Sequence, residues 1–376
     1  MTDSINVFRV ISWLPMGGIE RRLVAIMPRL EAKGYKMNLV CTREYGALVG
    51  EMRGNGIPVQ LIQFNSRFDP KAIWKLRGEL IKNHTKIVHS HMYRSSVPAT
   101  VAARMAGVPA IFSQVHNIDT WQSKRQVWMD RQISRFRDGV ITVSRAVQQD
   151  VCENLGLPES KVPILYNGVD TEQFQPDLAG RIRLRNELKI PDDRPMVLVP
   201  ARLHAQKLPI QVLLAFKAAH QNLSSNPLLV YAGPGKMEEE LRQAIINEKM
   251  QEHVVVLGRR DDMVDVYNGA DLVLLSSLKE GFSNAIVEAL ACGKPVVAAD
   301  VGGNKEAIST PEIGWIHDCG DMEALTNQLI EALTDWRALA SRGRACRERG
   351  ERFSLDAMVD DTDRLYRSVL EKKGVL

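Results

Sequence analysis

Two doubly wound, Rossmann-like α/β domains facing a cleft are predicted for this chain on three observations. Its 376 residues are more than one ordinary core serves, since single cores stop growing beyond about 250–300 residues. Short apolar runs alternate with segments of helical period almost from end to end, the pattern of parallel strands joined by right-handed crossovers. The rhythm breaks over ILYNGVDTEQFQPDLAG, rich in turn formers and without strong period, which places a linker near 167–180.

The elements follow in order. NVFRVISWL is a short apolar run and reads as a strand; IERRLVAIMPRLEAKG repeats its apolar residues at helical spacing. KMNLVCT and IPVQLIQF read as strands around a short helix, and DPKAIWKLRGELIKN as the next helix. KIVHSHM and PAIFSQVH read as strands separated by the helix SVPATVAARMAG; a long helix near 120–137 and the strand GVITVS close this half. The second half repeats the pattern: strand PMVLVPARL, a helix near 209–221, strand PLLVYAGPG, helix KMEEELRQAIINEK and strand HVVVLGRR. A short helix, the strand DLVLLSSL, a helix beginning near Ser283 or Asn284, and the strands PVVAAD and GWIHD complete it. The expected domains are 1–170 and 171–353. The tail FSLDAMVDDTDRLYRSVLEKK, about 354–376, reads as an amphipathic helix expected to join the first.

Composition narrows the function classes. At 45% hydrophobic and 25% charged residues, the chain reads as a soluble globular protein. No apolar run approaches the roughly 18 residues needed to cross a bilayer, and MTDSINVFRV has no signal-peptide pattern. Five cysteines, scattered without a CxxC pair, argue against a disulfide framework or zinc site and suit a reducing cytoplasm. Residues 1–170 hold 23 Lys and Arg against 14 Asp and Glu, a net +9, whereas the remainder is −5. A basic first half is suited to an anionic partner. Nucleic acid is not expected, because no basic run is interleaved with stacking aromatics. The stretch 121–139 does place Trp121, Trp128, Ile133 and Phe136 among Lys124, Arg125, Arg131, Arg135 and Arg137. That mixture suits an anionic membrane interface, so peripheral contact at the inner face of the plasma membrane is one expectation. An ordinary helix packed on its own domain is the other.

In such sheets ligands bind beyond the carboxyl ends of the strands, so the motifs there matter most. Gly17 and Gly18 follow the first strand at a helix start, where the backbone can approach an anion; a tight turn without ligand reads equally well. No strand is followed by GxGxxG, so the dinucleotide fingerprint is absent. AGPGKMEE lacks the spacing and the Ser or Thr of a Walker A loop. His89, His91 and His116 lie at two strand ends and could donate to a sugar hydroxyl or carbonyl. They form no recognisable metal set, and each also reads as a structural histidine. Arg202 and Lys207 share one strand-end loop and could neutralise a diphosphate. In EGFSNAIVE, Glu280 sits in a strand-to-helix turn and Glu288 off the helix's apolar stripe, so register alone leaves Glu288 open to solvent.

With these residues, LLSSLKEGFSNAIVEALACGKPVVAADVGG resembles the family-4 retaining glycosyltransferases of GT-B fold, carrying their E-x7-E pattern as Glu280 and Glu288. Gly17-Gly18, His116, NGVDTEQF and the R-x4-K spacing of Arg202 and Lys207 match in order, and the resemblance covers nearly the whole chain. It implies that Arg202 and Lys207 bind the diphosphate of a UDP- or GDP-linked sugar, Glu280 lies beside the transferred sugar, and Glu288 accepts from ribose hydroxyls. It further implies that the backbone of Gly281-Phe282-Ser283 approaches the donor and that Leu257-Gly258-Arg259 borders the nucleobase. Gly17-Gly18 would meet the diphosphate and His116 the sugar. The acceptor would be a glycan, a lipid-linked molecule or a small molecule, in cell-surface polysaccharide or glycolipid synthesis; no metal or other cofactor is expected. Asp261-Asp262 reads as a helix cap.

There are departures: Pro200-Ala201 stands where Gly usually precedes Arg202, Leu208 where Gly commonly follows Lys207, and EGFSNA in place of EGFG. The competing readings are a sugar-nucleotide epimerase of similar fold, a NAD-dependent oxidoreductase, disfavoured by the missing fingerprint, and a non-catalytic sugar-nucleotide binder.

Overall fold

The computed structural model describes residues 4–66, 68–118 and 123–376. The strands of the first sheet are β1 (Ile5–Ile11), β2 (Tyr35–Cys41), β3 (Val59–Leu61), β4 (Ile87–His91), β5 (Ala110–Val115) and β6 (Gly139–Thr142). Those of the second are β7 (Met196–Val199), β8 (Leu228–Ala232), β9 (Val254–Gly258), β10 (Leu272–Leu275), β11 (Val296–Ala299) and β12 (Gly314–His317). Helices α1 (Gly18–Ala32), α2 (Val49–Gly54), α3 (Pro70–Lys82), α4 (Met92–Met105), α5 (Lys124–Ser134) and α6 (Arg145–Leu155) accompany the first sheet. With the second run α7 (Leu178–Glu187), α8 (Pro209–His220), α9 (Glu238–Asn247), α10 (Met263–Gly269), α11 (Asn284–Ala291), α12 (Asn304–Ala307), α13 (Met322–Thr334) and α14 (Gly343–Glu351); α15 (Leu355–Lys372) ends the chain.

The sheet orders are β3-β2-β1-β4-β5-β6 and β12-β11-β10-β7-β8-β9, and the paired strands are parallel. Helices cover both faces, so strands such as LVLL and VVAA are apolar throughout instead of alternating. Each order reverses once, between β1 and β4 and between β7 and β10. At such a point neighbouring strands send their connections to opposite faces and leave a crevice at their carboxyl ends.

The chain divides into two compact units, Met1–Gly168 with Leu355–Leu376, and Val169–Ser354. In the first, one core face gathers Val7, Ile11, Met27 and Leu39 together with Met358, Val359, Tyr366 and Leu370 of α15. The other packs Phe8, Val10, Leu76 and Val88.

Helices α6, α7, α12, α13 and α14 go beyond the expected elements. α7 begins at Leu178, inside the expected linker, and buries little besides Leu184 and Arg185. Ion pairs hold it instead: Arg181 to Asp271 at 2.8 Å and Arg183 to Asp265 at 2.7 Å. The long helix expected near 120–137 is α5, which starts at Lys124 behind a Ser123 capping box; Trp121 lies outside the described residues. Arg137 corrects the expectation of a wholly basic surface there. It is only 2% exposed and donates to Asp130 at 2.8 Å and Thr100 at 3.0 Å.

Candidate active site

In the second unit, β7 and β10 are neighbours at the reversal of strand order, so the loops leaving them meet. Backbone groups join the two loops: the Leu278 N–H donates to the Gln206 carbonyl at 2.8 Å, and Gln206 Nε2 donates to the Lys279 carbonyl at 2.7 Å. That places Lys207 against Glu280, and the Lys207 ammonium donates to Glu280 Oε1. The side chains of this pair are 18% and 13% exposed. Arg202, in the same β7 loop, is exposed and has no hydrogen-bond or ion-pair partner among the described residues. One compensated cation, one uncompensated cation and one carboxylate thus share a loop pair at strand carboxyl ends.

The Glu280 turn is buttressed from β11. Gly302 has φ +55°, and a Cβ there would run into the Glu280 carbonyl; the Gly303 N–H donates to the Gly281 carbonyl at 2.9 Å. Only glycine combines that left-handed backbone with so close an approach. Phe282 turns inward, 4% exposed, with its ring 5.1 Å from that of Phe353, so this turn can offer a ligand its backbone but not the Phe282 ring. Ser283 is the N-cap of α11 and makes no side-chain capping bond.

Glu288, one turn into α11, is half-buried, and its Oε2 accepts from the Tyr267 hydroxyl at 2.7 Å. Tyr267 of α10 is itself 1% exposed; burial first, and then the Glu288 charge, push its phenol well above the ordinary range. It therefore stays a donor. Gly258 ends β9 and accepts from the Gly233 N–H at 2.7 Å through its carbonyl, while exposed Arg259 pairs with Asp261 at 3.2 Å. Asp262 occupies the N-cap position of α10 but caps nothing. Arg260 draws its carboxylate away, at 2.6 Å, which corrects the expected cap.

In the first unit, Gly17 caps α1 and Gly18 begins it. A Cβ on Gly17 would meet the carboxylate of Glu20, which is 7% exposed and would have to shift. His116 follows β5 and belongs to a buried polar chain. Its Nε2 lies 3.1 Å from His91 Nδ1, and His91 Nε2 lies 3.4 Å from an Arg9 nitrogen. His89 Nδ1 lies 2.6 Å from the Tyr366 hydroxyl. Sequence reasoning missed Tyr267, Gly302 and Arg9. Gly302 carried a signal, a paired glycine at a strand end, whereas Arg9 is hidden inside a strand.

Residues 16–173 match the family model described as Glycosyltransferase Family 4, and residues 180–352 match that described as Glycosyl transferases group 1. The UDP-Gal:alpha-D-GlcNAc-diphosphoundecaprenol alpha-1,3-galactosyltransferase of Escherichia coli is 24% identical over 371 residues, 95% of each chain. A D-inositol 3-phosphate glycosyltransferase of Xylanimonas cellulosilytica is 26% identical, over 81% of this chain and 77% of that one. Among solved structures, Anabaena HepE in complex with UDP superposes with a TM-score of 0.87 at 20% identity, over 97% of this chain and all of that one. Sucrose-phosphate synthase of Thermosynechococcus elongatus gives 0.76 at 17% identity, over 98% and 100%. At such identities the solved structures speak for the fold.

Proposed function

As the chain belongs to family 4 of the glycosyltransferases, with two Rossmann-like domains, we propose that it moves a sugar from a nucleotide-sugar donor to an acceptor with retention of anomeric configuration. The acceptor hydroxyl belongs to a glycan, a lipid-linked molecule or a small molecule, in cell-surface polysaccharide or glycolipid synthesis. The E. coli relative named for a diphosphoundecaprenol acceptor and HepE solved with UDP support this choice of acceptor and donor; a GDP-linked donor is the alternative.

The observation that carries the reading is the Lys207–Glu280 pair beside uncompensated Arg202 at the strand reversal. Arriving phosphate oxygens give Arg202 its partner and draw Lys207 from Glu280, whose carboxylate then accepts from a hydroxyl of the transferred sugar. As the glycosidic bond breaks, charge grows on the departing diphosphate, where both cations stabilise it without reorganisation. The departing phosphate takes the acceptor proton on the same face, which yields retention. Glu288, held by Tyr267, accepts from the ribose; the backbone of Gly281, Phe282 and Ser283 meets the donor, and Gly258 and Arg259 border the base. The first unit supplies Gly17 and Gly18 to the diphosphate and His116 to the sugar, and serves as the acceptor domain.

Calorimetry with UDP and GDP, alongside steady-state rates, tests the assignment. Glu288→Ala should weaken free nucleoside diphosphate as well as donor, by about 1.5–3 kcal/mol for a hydrogen bond to a charged group. Glu280→Ala should not weaken nucleoside diphosphate binding, since it frees Lys207 for the phosphates, yet should cut turnover about tenfold to a hundredfold. Arg202→Ala should damage both. Turnover should persist in excess chelator, because Arg202 and Lys207 supply the charge a metal would; strict dependence on added magnesium counts against that. If both glutamate variants match the parent, this active-site reading is wrong.

We infer, second, that the first unit meets an anionic membrane surface at its α5 end, in the cytoplasm at the inner face of the plasma membrane. The supporting observation is that Trp128 and Phe136 are 65% and 55% exposed among exposed Lys124, Arg125, Arg131 and Arg135. Among the described residues no helix is long and apolar enough to cross a membrane.

A further inference from the structure

The first unit encloses a guanidinium that no acid among the described residues balances. Arg9, in the middle of β1, is 0% exposed, and among the described residues no carboxylate lies within ion-pair distance of it. A buried charge without a counter-ion is costly, so the groups it does meet are informative. One terminal nitrogen lies 3.4 Å from His91 Nε2, and the other donates to the Tyr366 hydroxyl at 3.2 Å. Strand register builds the line: Arg9 stands opposite His89 on β4, His91 ends β4, and His116 follows the adjacent β5.

The protons along this line can be assigned from chemistry. A guanidinium only donates, so His91 accepts at Nε2. A neutral imidazole then carries its proton on Nδ1, and His91 donates from there to His116 Nε2, 3.1 Å away. His116 is left with its own proton on Nδ1. The rings are neutral: burial above all, reinforced by Arg9, drives His89 and His91 well below the ordinary histidine range. Burial, then Arg22 and Arg9, do the same to His116. Tyr366 forms the second branch, accepting from Arg9 with its hydroxyl 2.6 Å from His89 Nδ1. The His116 Nδ1 is buried and has no partner among the described residues. His116 lines a cavity of about 210 Å³ with Ser113, Gln114, Tyr93 and Asn117. A buried donor left unmet is unfavourable, a cost that an oxygen entering the cavity would remove.

We propose that Arg9 and His91 are positioning residues which hold His116 as its Nδ1–H tautomer, so that the ring donates to a ligand oxygen and cannot take a proton from one. In the glycosyltransferase reading, on which this consequence rests, His116 steadies the sugar and is excluded as the base. The acceptor proton must then leave by another group, which agrees with its transfer to the departing phosphate.

The test is long-range nitrogen–proton spectroscopy of the full-length protein with labelled histidines, His116 being assigned by the signals lost in His116→Gln. The expected result at pH 7 is a neutral His116 protonated at Nδ1; an Nε2–H ring or an imidazolium overturns the proposal. Arg9→Met removes the donor that orients the chain and should raise the Nε2–H form of His116 several-fold. Arg9→Lys, which still only donates, should keep the parent tautomer. An unchanged tautomer in Arg9→Met overturns the positioning role; if that variant does not fold, His91→Leu puts the same question, and the parent spectrum stands regardless. No substrate is needed, so the expected tautomer in a protein that transfers no sugar would sink the functional reading alone.

Discussion

Leu208 occupies a backbone conformation that side chains avoid. It sits between Lys207 and α8 with φ 50° and ψ 46°, as the N-cap of that helix with Pro209 following. For an L-residue this conformation costs roughly 1–2 kcal/mol, which explains why glycine is common here in the family that the sequence resembles. Another departure, Ala201, is free of that cost, because it is not among the positive-φ residues. Leu208→Ala keeps the strain and loses contacts, whereas Leu208→Gly relieves it. The glycine variant should therefore be about 1 kcal/mol more stable than the alanine variant, even after the entropy that glycine adds to the unfolded chain. Thermal denaturation of the two, side by side, measures this. An alanine variant that melts higher would mean that the turn carrying Lys207 is not strained. Glu280 and Glu288 were singled out as a pair by the E-x7-E pattern of the family the sequence resembles; Tyr267, which steadies Glu288, was not, since it lies 21 positions away on another helix.

At the scale of elements, α7 and α10 are tied together by charges more than by apolar contact, and Lys294 sits at their junction. Its ammonium donates to the Asn268 carbonyl at 3.0 Å, and Asn268 Oδ1 accepts from the Asp177 N–H at 2.8 Å. Burial, with Arg181 nearby, pushes Lys294 down from 10.5 to about 8. The unfolded chain therefore binds more protons than the folded one between those values, and Lys294 opposes folding fully below about pH 8. As pH rises from there towards 10.5, that penalty fades, by about 3 kcal/mol at the limit. Cys41, Cys292 and Cys346, each pushed up to about 12 by burial, act in the opposite sense, losing stability as pH climbs past the ordinary thiol range. The informative quantity is thus the difference between the parent and Lys294→Met in urea unfolding at pH 7.5 and 10. The parent should gain on the variant as pH rises. A constant difference would mean that Lys294 titrates as a surface lysine. Such junctions leave little trace in hydropathy, which is why α7 was not among the expected helices while its neighbours on the sheet were legible.

For the molecule as a whole, charge is the property that elements cannot show. The first unit, with its returning C-terminal segment, holds 27 Lys and Arg against 18 Asp and Glu, so the acidic residues of α15 leave it basic. Part of that surplus lies beside the exposed Trp128 and Phe136. Each basic residue near an anionic bilayer contributes about 1 kcal/mol at low ionic strength, and salt screens it. The protein should sediment with vesicles rich in phosphatidylglycerol at low salt and release at high salt, and Trp128→Ala with Phe136→Ala should weaken the binding. Failure to bind at low salt would leave this surface as an ordinary exposed helix.

The alternation of apolar runs with helical periods determined, by itself, the class of this protein. A strand covered on both faces is predominantly apolar, and a crossover helix is amphipathic, so both are written locally. Turn chemistry likewise marked the strand ends where Gly17, His116, Arg202 and Glu280 stand. What only the tertiary structure decided is which of those ends are neighbours. Lys207 meets Glu280 across 73 positions, and Arg9 reaches His91 across 82. Local spacing governs contacts within one strand or helix, whereas these depend on strand order, and that order is settled by packing over the entire sheet.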